Sequence, residues 1–167
     1  MSLGIKAALE DATDVLNGHL VVMGTPAEEG GGGKILMLDA HCFDNVDFSM
    51  MVHPAPFDIV YGVALANHDV HVTFTGKAAH AAAFPWEGVN ALDAAVQCYN
   101  SVSMLRQQMK PKWKVHGVFT DGGIEPAIIP ERSQLHFYVR APTDDEMETL
   151  KAKVENCFKG AAEATGR

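Results

Sequence analysis

Three groups of residues in this 167-residue sequence carry side chains suited to reaction at a metal or a carbonyl. Glu28 and Glu29 are adjacent carboxylates followed by four glycines, Gly30 to Gly33. Neighbouring carboxylates in a glycine-rich loop can diverge, so that one holds a metal ion while the other accepts a proton from water. A solvated acidic loop is the ordinary alternative. His53 is the second candidate, since imidazole beside carboxylate suits zinc; a lone histidine also serves as a hydrogen-bonded surface group. His41 and Cys42 stand nearby in a stretch read as helical, where packing is the simpler role. The third is His80, set among small residues in Gly76-Lys77-Ala78-Ala79-His80-Ala81-Ala82 ahead of Gly88-Val89-Asn90-Ala91. An imidazole there can donate to a developing oxyanion, cap the next helix or face solvent.

The elements that must position these residues follow from hydrophobic spacing. Ile5, Ala8, Leu9, Ala12, Val15 and Leu16 recur at helical intervals, and His19 to Met23 has the length of a buried strand. A helix feeding a buried strand suggests a parallel α/β sheet, whose ligands gather beyond the strand ends, where Glu28 and Glu29 fall. The four glycines are expected to form a mobile loop. Phe48 to Val52 reads as a further strand that ends at His53-Pro54-Ala55-Pro56, which brings His53 to the same rim. A second region begins near residue 66. Val70, Val72 and Phe74 alternate with polar residues as in a half-buried strand, and Val89, Leu92, Val96, Tyr99 and Val102 predict a helix over 88–108. Strand patterns follow at 113–120 and 133–141, with Leu135, Phe137 and Val139 inward and His136, Tyr138 and Arg140 outward. Thr143-Asp144-Asp145-Glu146 has capping-box spacing and opens a final helix with Met147, Leu150, Val154, Cys157, Phe158 and Ala161 on its apolar stripe. The expected class is therefore α/β plus α+β. Part of an α/β domain over 1–65 precedes a ferredoxin-like β-α-β-β-α unit over 66–167 that lacks its last strand. The leader-like Met1-Ser2-Leu3 and the stop at Gly166-Arg167 suggest a chain cut at both ends.

Composition narrows the function. With 47% hydrophobic residues the chain can pack a core, and a net charge of −8 without a Lys/Arg cluster argues against nucleic acid as partner. No apolar stretch approaches the ~20 residues of a membrane-spanning helix, so neither a membrane nor export is expected. Three widely spaced cysteines, Cys42, Cys98 and Cys157, fit reduced thiols in the cytoplasm.

Taken together and in order, Thr25-Pro26-Ala27-Glu28-Glu29 with Gly30 to Gly33, Gly76-Lys77-Ala78-Ala79-His80-Ala81, and Ile128-Ile129-Pro130-Glu131 followed by Arg140 match one family. Over nearly its whole length the chain resembles the zinc amidohydrolases that include aminoacylase, the glutamate carboxypeptidases, carnosinase-type dipeptidases and hydrolases of indole-acetyl-amino-acid conjugates. The aminoacylase-like dipeptidase branch is most similar. The resemblance implies that Glu28 is the general base for the attacking water, that Glu29 and His53 are metal ligands, and that His80 reaches the active site of the partner protomer to stabilise the tetrahedral intermediate. It implies that Arg140 holds the substrate's terminal carboxylate and that the enzyme is a homodimer with two zinc ions per complete site, acting on dipeptides or N-acyl amino acids. Two departures stand out. Ala127 occupies a position where the family usually has Asn, and the family's earlier and later metal ligands have no counterparts. Zinc would then bind weakly or not at all, and this chain alone would be inactive. The competing readings are a stand-alone ferredoxin-like binding or dimerisation module and a catalytically dead relative.

Overall fold

A computed structural model describes residues 2–11, 19–60, 62 and 64–166. The chain divides into two units, 1–60 and 61–167.

In the first unit α1 spans Ser2–Asp11 and α2 spans Gly33–Asp39. The predicted helix over 5–17 is thus found as far as Asp11, and its remainder lies outside the described residues. The runs 19–23 and 48–52, expected as strands, belong to no ladder, and Val22 and Phe48 are 71% and 92% exposed. Their apolar residues have the length and composition of strands, yet a strand exists only when a neighbour takes up its backbone N–H and C=O groups. No strand is found among the described residues of this unit. The glycine run forms a turn that leads into α2 rather than an open loop. Gly31 and Gly32 take φ of 87° and 65°, Gly32 serves as the helix N-cap, and the Gly33 N–H donates to the Ala27 carbonyl at 3.3 Å. Gly33 is buried, and a Cβ there would overlap the Pro26 carbonyl oxygen. His41 and Cys42 lie in the exposed turn after α2, so neither packs on a helix face.

The second unit is built on strands β1 (Ala66–Thr75), β3 (Lys114–Asp121) and β5 (Arg132–Ala141), with short β2 (Ala79–His80) and β4 (Ile128–Ile129) paired to each other. The main sheet has the order β1-β5-β3, antiparallel at both pairings. β1 and β3 therefore run parallel on either side of β5, joined by the crossover helix α3 (Ala91–Met104), which a short 3₁₀ turn over Leu105–Gln108 extends. Helix α4 (Asp144–Ala164) follows β5. This is the predicted strand-helix-strand-strand-helix order.

Alternation sets the two faces of the sheet. Ser133, Leu135, Phe137, Val139 and Ala141 are buried, and they pack with Phe74 of β1 and Val115 of β3 against Ala94, Cys98 and Val102 of α3 and Leu150 and Val154 of α4. Ser133 is the buried polar residue of this face, and its hydroxyl donates to the Ala91 carbonyl at 2.6 Å, which fixes the start of α3 on β5. Asn90 caps α3 through Oδ1, accepting from Leu92 N at 2.9 Å and Asp93 N at 3.3 Å. Thr143 caps α4 by accepting from Glu146 N at 3.3 Å. The Glu146 side chain accepts from Trp113 Nε1 at 2.8 Å and from Lys110 Nζ at 2.5 Å, which ties α4 to the segment before β3. These hydrogen bonds hold its carboxyl below the usual range.

Cys98 is fully buried in α3, and burial, with Cys157 of α4 close by, pushes its thiol up to about 12. Burial also raises the Cys157 thiol. At pH 8 the Cys98 thiolate is then only about one part in ten thousand, and the thiolate is the nucleophile. Iodoacetamide is expected to label exposed Cys42 quickly and to spare Cys98 until the chain is denatured, as read by peptide mass spectrometry. Equal labelling rates in the native chain would show that the α3–α4 packing is wrong.

Candidate functional site

Within the first unit, Glu28, Glu29 and His53 offer one ligand atom each, all within 4.8 Å of one another, and all three residues are exposed. The carboxylates are carried by the turn that the glycines close, with Lys34 Nζ 3.6 Å from Glu28 Oε1. The His53 Nδ1–H donates to the Pro54 carbonyl at 2.8 Å. That bond fixes the tautomer and leaves Nε2 with a free lone pair, the form in which imidazole ligates a metal. Residues 25 positions apart in sequence thus converge, and two carboxylates with one imidazole fit an ion of zinc's class.

In the second unit His80 sits on β2 opposite Ile128. Its Nδ1 accepts from the backbone N–H groups of Ala82 at 3.2 Å and Ala83 at 3.1 Å. With Nδ1 occupied as an acceptor, the ring proton lies on Nε2, which leaves an exposed His80 as an N–H donor. Asn90, not His80, caps the following helix. The small residues around His80 let the segments close up: a Cβ on Gly88 would stand 2.9 Å from Ala79 Cβ. The Ala127 carbonyl accepts from the Ala81 N–H at 2.9 Å, so Ala127 adjoins the residue that follows His80. Beside them runs a cavity of about 470 Å³ lined by Leu92, Ile124, Glu125, Pro126 and Ile128.

Arg140 occupies the outward face of β5, with its Cζ 5.5 Å from the centre of the Tyr138 ring and its Nε buried without a hydrogen-bond partner. In register it lies between Asn67 and Lys114, whereas Arg132, eight positions back along β5, pairs with Thr75 at the end from which the chain leaves for His80. Eight strand positions span roughly 26 Å. Arg140 therefore lies at the end of β5 remote from the point where the chain leaves β1 for His80 on the separate β2-β4 pair.

The same outward face holds a grouping that sequence reasoning missed. His71 pairs directly with His136 across β1 and β5, and Asp69 lies two positions from His71 on the same side. In the sequence each reads only as a solvated strand residue, because the grouping depends on cross-strand register and not on local spacing.

Residues 67–165 match the peptidase dimerisation domain. The chain belongs to this family of amidohydrolases and dipeptidases. The matched residues run from the second position of β1 to just past the end of α4. Over 165 residues the chain is 52% identical to the Xaa-Arg dipeptidase of Mus musculus, a match covering 99% of this chain and 38% of that protein. It is 34% identical over 141 residues to a p-aminobenzoyl-glutamate hydrolase polypeptide of Escherichia coli, covering 83% of this chain and 29% of the relative. The chain thus spans between 29% and 38% of the length of these relatives. Among solved structures, a hydantoinase/carbamoylase-family amidase from Burkholderia multivorans aligns over 62% of this chain and 26% of its own with a TM-score of 0.56 at 22% identity, which shows a shared fold.

Proposed function

We propose that the full-length polypeptide containing this chain is a zinc-dependent amidohydrolase that cleaves the amide bond of a dipeptide or N-acyl amino acid and works as a homodimer. In this reading residues 1–65 form part of the catalytic domain, and residues 66–167 form the lid and dimerisation domain without its last strand. The observation that carries it is the convergence of ligand atoms of Glu28, Glu29 and His53 within 4.8 Å. The relatives' activities, as a dipeptidase and as an acyl-glutamate hydrolase, support the reaction class.

Glu29 and His53 would hold the ion. When bound, zinc supplies Lewis-acid polarisation of the scissile carbonyl. Glu28 takes a proton from the attacking water and passes it to the departing amine. The His80 Nε2–H donates to the oxygen on which negative charge develops. Arg140 grips the substrate carboxylate with its planar fork, and Tyr138 holds the guanidinium in place from below.

The separation of His80 and Arg140 supports the dimer. In one amino-acid unit the scissile carbonyl and the terminal carboxylate lie only about 4 Å apart, close to the spacing of consecutive Cα atoms. Because the chain leaves β1 for His80 roughly 26 Å along the ladder from Arg140, we infer that the two side chains do not reach both in one protomer. They can if one protomer supplies Arg140 and its partner supplies His80.

The chain by itself is proposed to hold zinc weakly and to be inactive, because three residues fall short of a closed pair of sites. A cytoplasmic location is proposed from the three free thiols. Among the described residues no helix is long and apolar enough to cross a membrane.

Elemental analysis and a panel of dipeptides and N-acyl amino acids test the reading. Two zinc ions and amide hydrolysis are expected in the full-length protein, and neither at stoichiometric level in the chain of residues 1–167. A full-length protein that holds zinc and hydrolyses nothing on the panel would overturn the mechanism, and one with neither zinc nor hydrolysis would point instead to a dimerisation module or a dead relative.

A further inference from the structure

The open face of the sheet carries a set of donors that none of these steps uses. Asp69 and His71 project from β1 and His136 from β5. The two imidazole rings stack with centroids 4.1 Å apart and planes within 10°. Both turn Nε2 toward Asp69 Oδ1, at 2.6 Å for His136 and 3.6 Å for His71. All three offer ligand atoms within 4.8 Å of one another.

We propose that Asp69, His71 and His136 form a binding site for a divalent transition metal of zinc's class on the open face of the lid sheet. Around a tetrahedral ion with bonds near 2.0–2.1 Å, ligand atoms stand about 3.3 Å apart, and the two observed separations bracket that value. Small side-chain rotations would convert the present contacts into ligation. Two imidazoles and one carboxylate select borderline ions over calcium and magnesium, which favour all-oxygen shells. The backbone that carries the donors is held in place. β1 and β5 pair without interruption from Ala66↔Ala141 to Thr75↔Arg132, and β3 secures the other side of β5. On one flank Gln134 Nε2 donates to Thr73 Oγ1 at 2.9 Å, and on the other Tyr138, the direct partner of Asp69, presents its ring edge-on to His136 with centroids 5.0 Å apart. Three protein ligands leave a coordination position open to water or to an exogenous anion, and a bound ion would clamp β1 to β5.

The site shares no residue with Glu28, Glu29 and His53, and its test is independent of the hydrolase reading. In the full chain carrying Glu29→Gln and His53→Gln, titration with zinc chloride is expected to give one ion per chain, and cobalt chloride to give visible d–d bands. Adding His71→Gln or His136→Gln should weaken zinc binding by about tenfold or more, remove the cobalt bands and abolish the zinc-dependent rise in thermal midpoint. These side chains lie on the surface face, so circular dichroism without metal should be unchanged; Asp69→Asn is a third variant should either histidine change alter it. Absence of stoichiometric zinc in the Glu29→Gln/His53→Gln chain, or zinc binding that survives loss of both His71 and His136, would overturn the proposal.

Discussion

Co-expression of full-length protomers carrying His80→Ala with protomers carrying Arg140→Ala is expected to restore amide hydrolysis that neither variant has alone. In a mixed dimer one site receives its Arg140 from one protomer and its His80 from the other, both intact, while the second site lacks both. With random pairing half of the dimers are mixed and one of their two sites works, so activity returns to about a quarter of wild type. The expectation rests on the proposed dimer together with register, since eight positions of continuous ladder separate Arg140 from the Arg132 end of β5, where the chain leaves β1 for His80. If both residues served the same site from one protomer, every mixed dimer would carry one defect in each site and activity would stay at the level of the single variants. That result would remove the two-protomer site while leaving the fold intact.

Replacing Glu28 with Gln in the full-length protein should lower kcat by about a hundredfold to ten-thousandfold, the usual effect of losing a positioned general base, while zinc content stays close to wild type. Glu29→Gln and His53→Gln should lower activity and zinc content together. The distinction follows from the role proposed for each residue. Glutamine keeps the size of Glu28 but cannot take up a proton, whereas a lost ligand weakens the ion itself. Zinc content beside kcat for the three variants therefore assigns the roles. Hydrolysis by Glu28→Gln within about twofold of wild type would exclude it as the base.

The second unit is largely legible in the sequence because its strands have one dry face each. Val70, Val72 and Phe74, and then Leu135, Phe137 and Val139, announce both the strand and the side that faces the helices. Thr143 announces its cap, yet no local pattern shows that the Glu146 side chain turns to Trp113 and Lys110. The first unit is harder to read. Residues 19–23 and 48–52 have the composition of strands, but composition reports only a wish for burial and names no partner for the backbone. The candidate ligands can be named one by one through their motifs, and their convergence cannot. Nor can the ring proton on His80 Nε2, which depends on two backbone N–H groups presented by the local turn.

In β5 two different kinds of information occupy alternate letters of one ten-residue word. Odd positions from Ser133 to Ala141 specify the core, and even positions from Arg132 to Arg140 specify what the surface can bind. A lineage can therefore rewrite the chemistry of the open face, exchanging His136 or Arg140 for other groups, without renegotiating the packing beneath. Insertion of a single residue has the opposite effect, since it would send Arg140 and His136 toward the helices and Phe137 and Val139 into water. Variation along this strand is expected to accumulate by substitution at even positions and to tolerate almost no change in length.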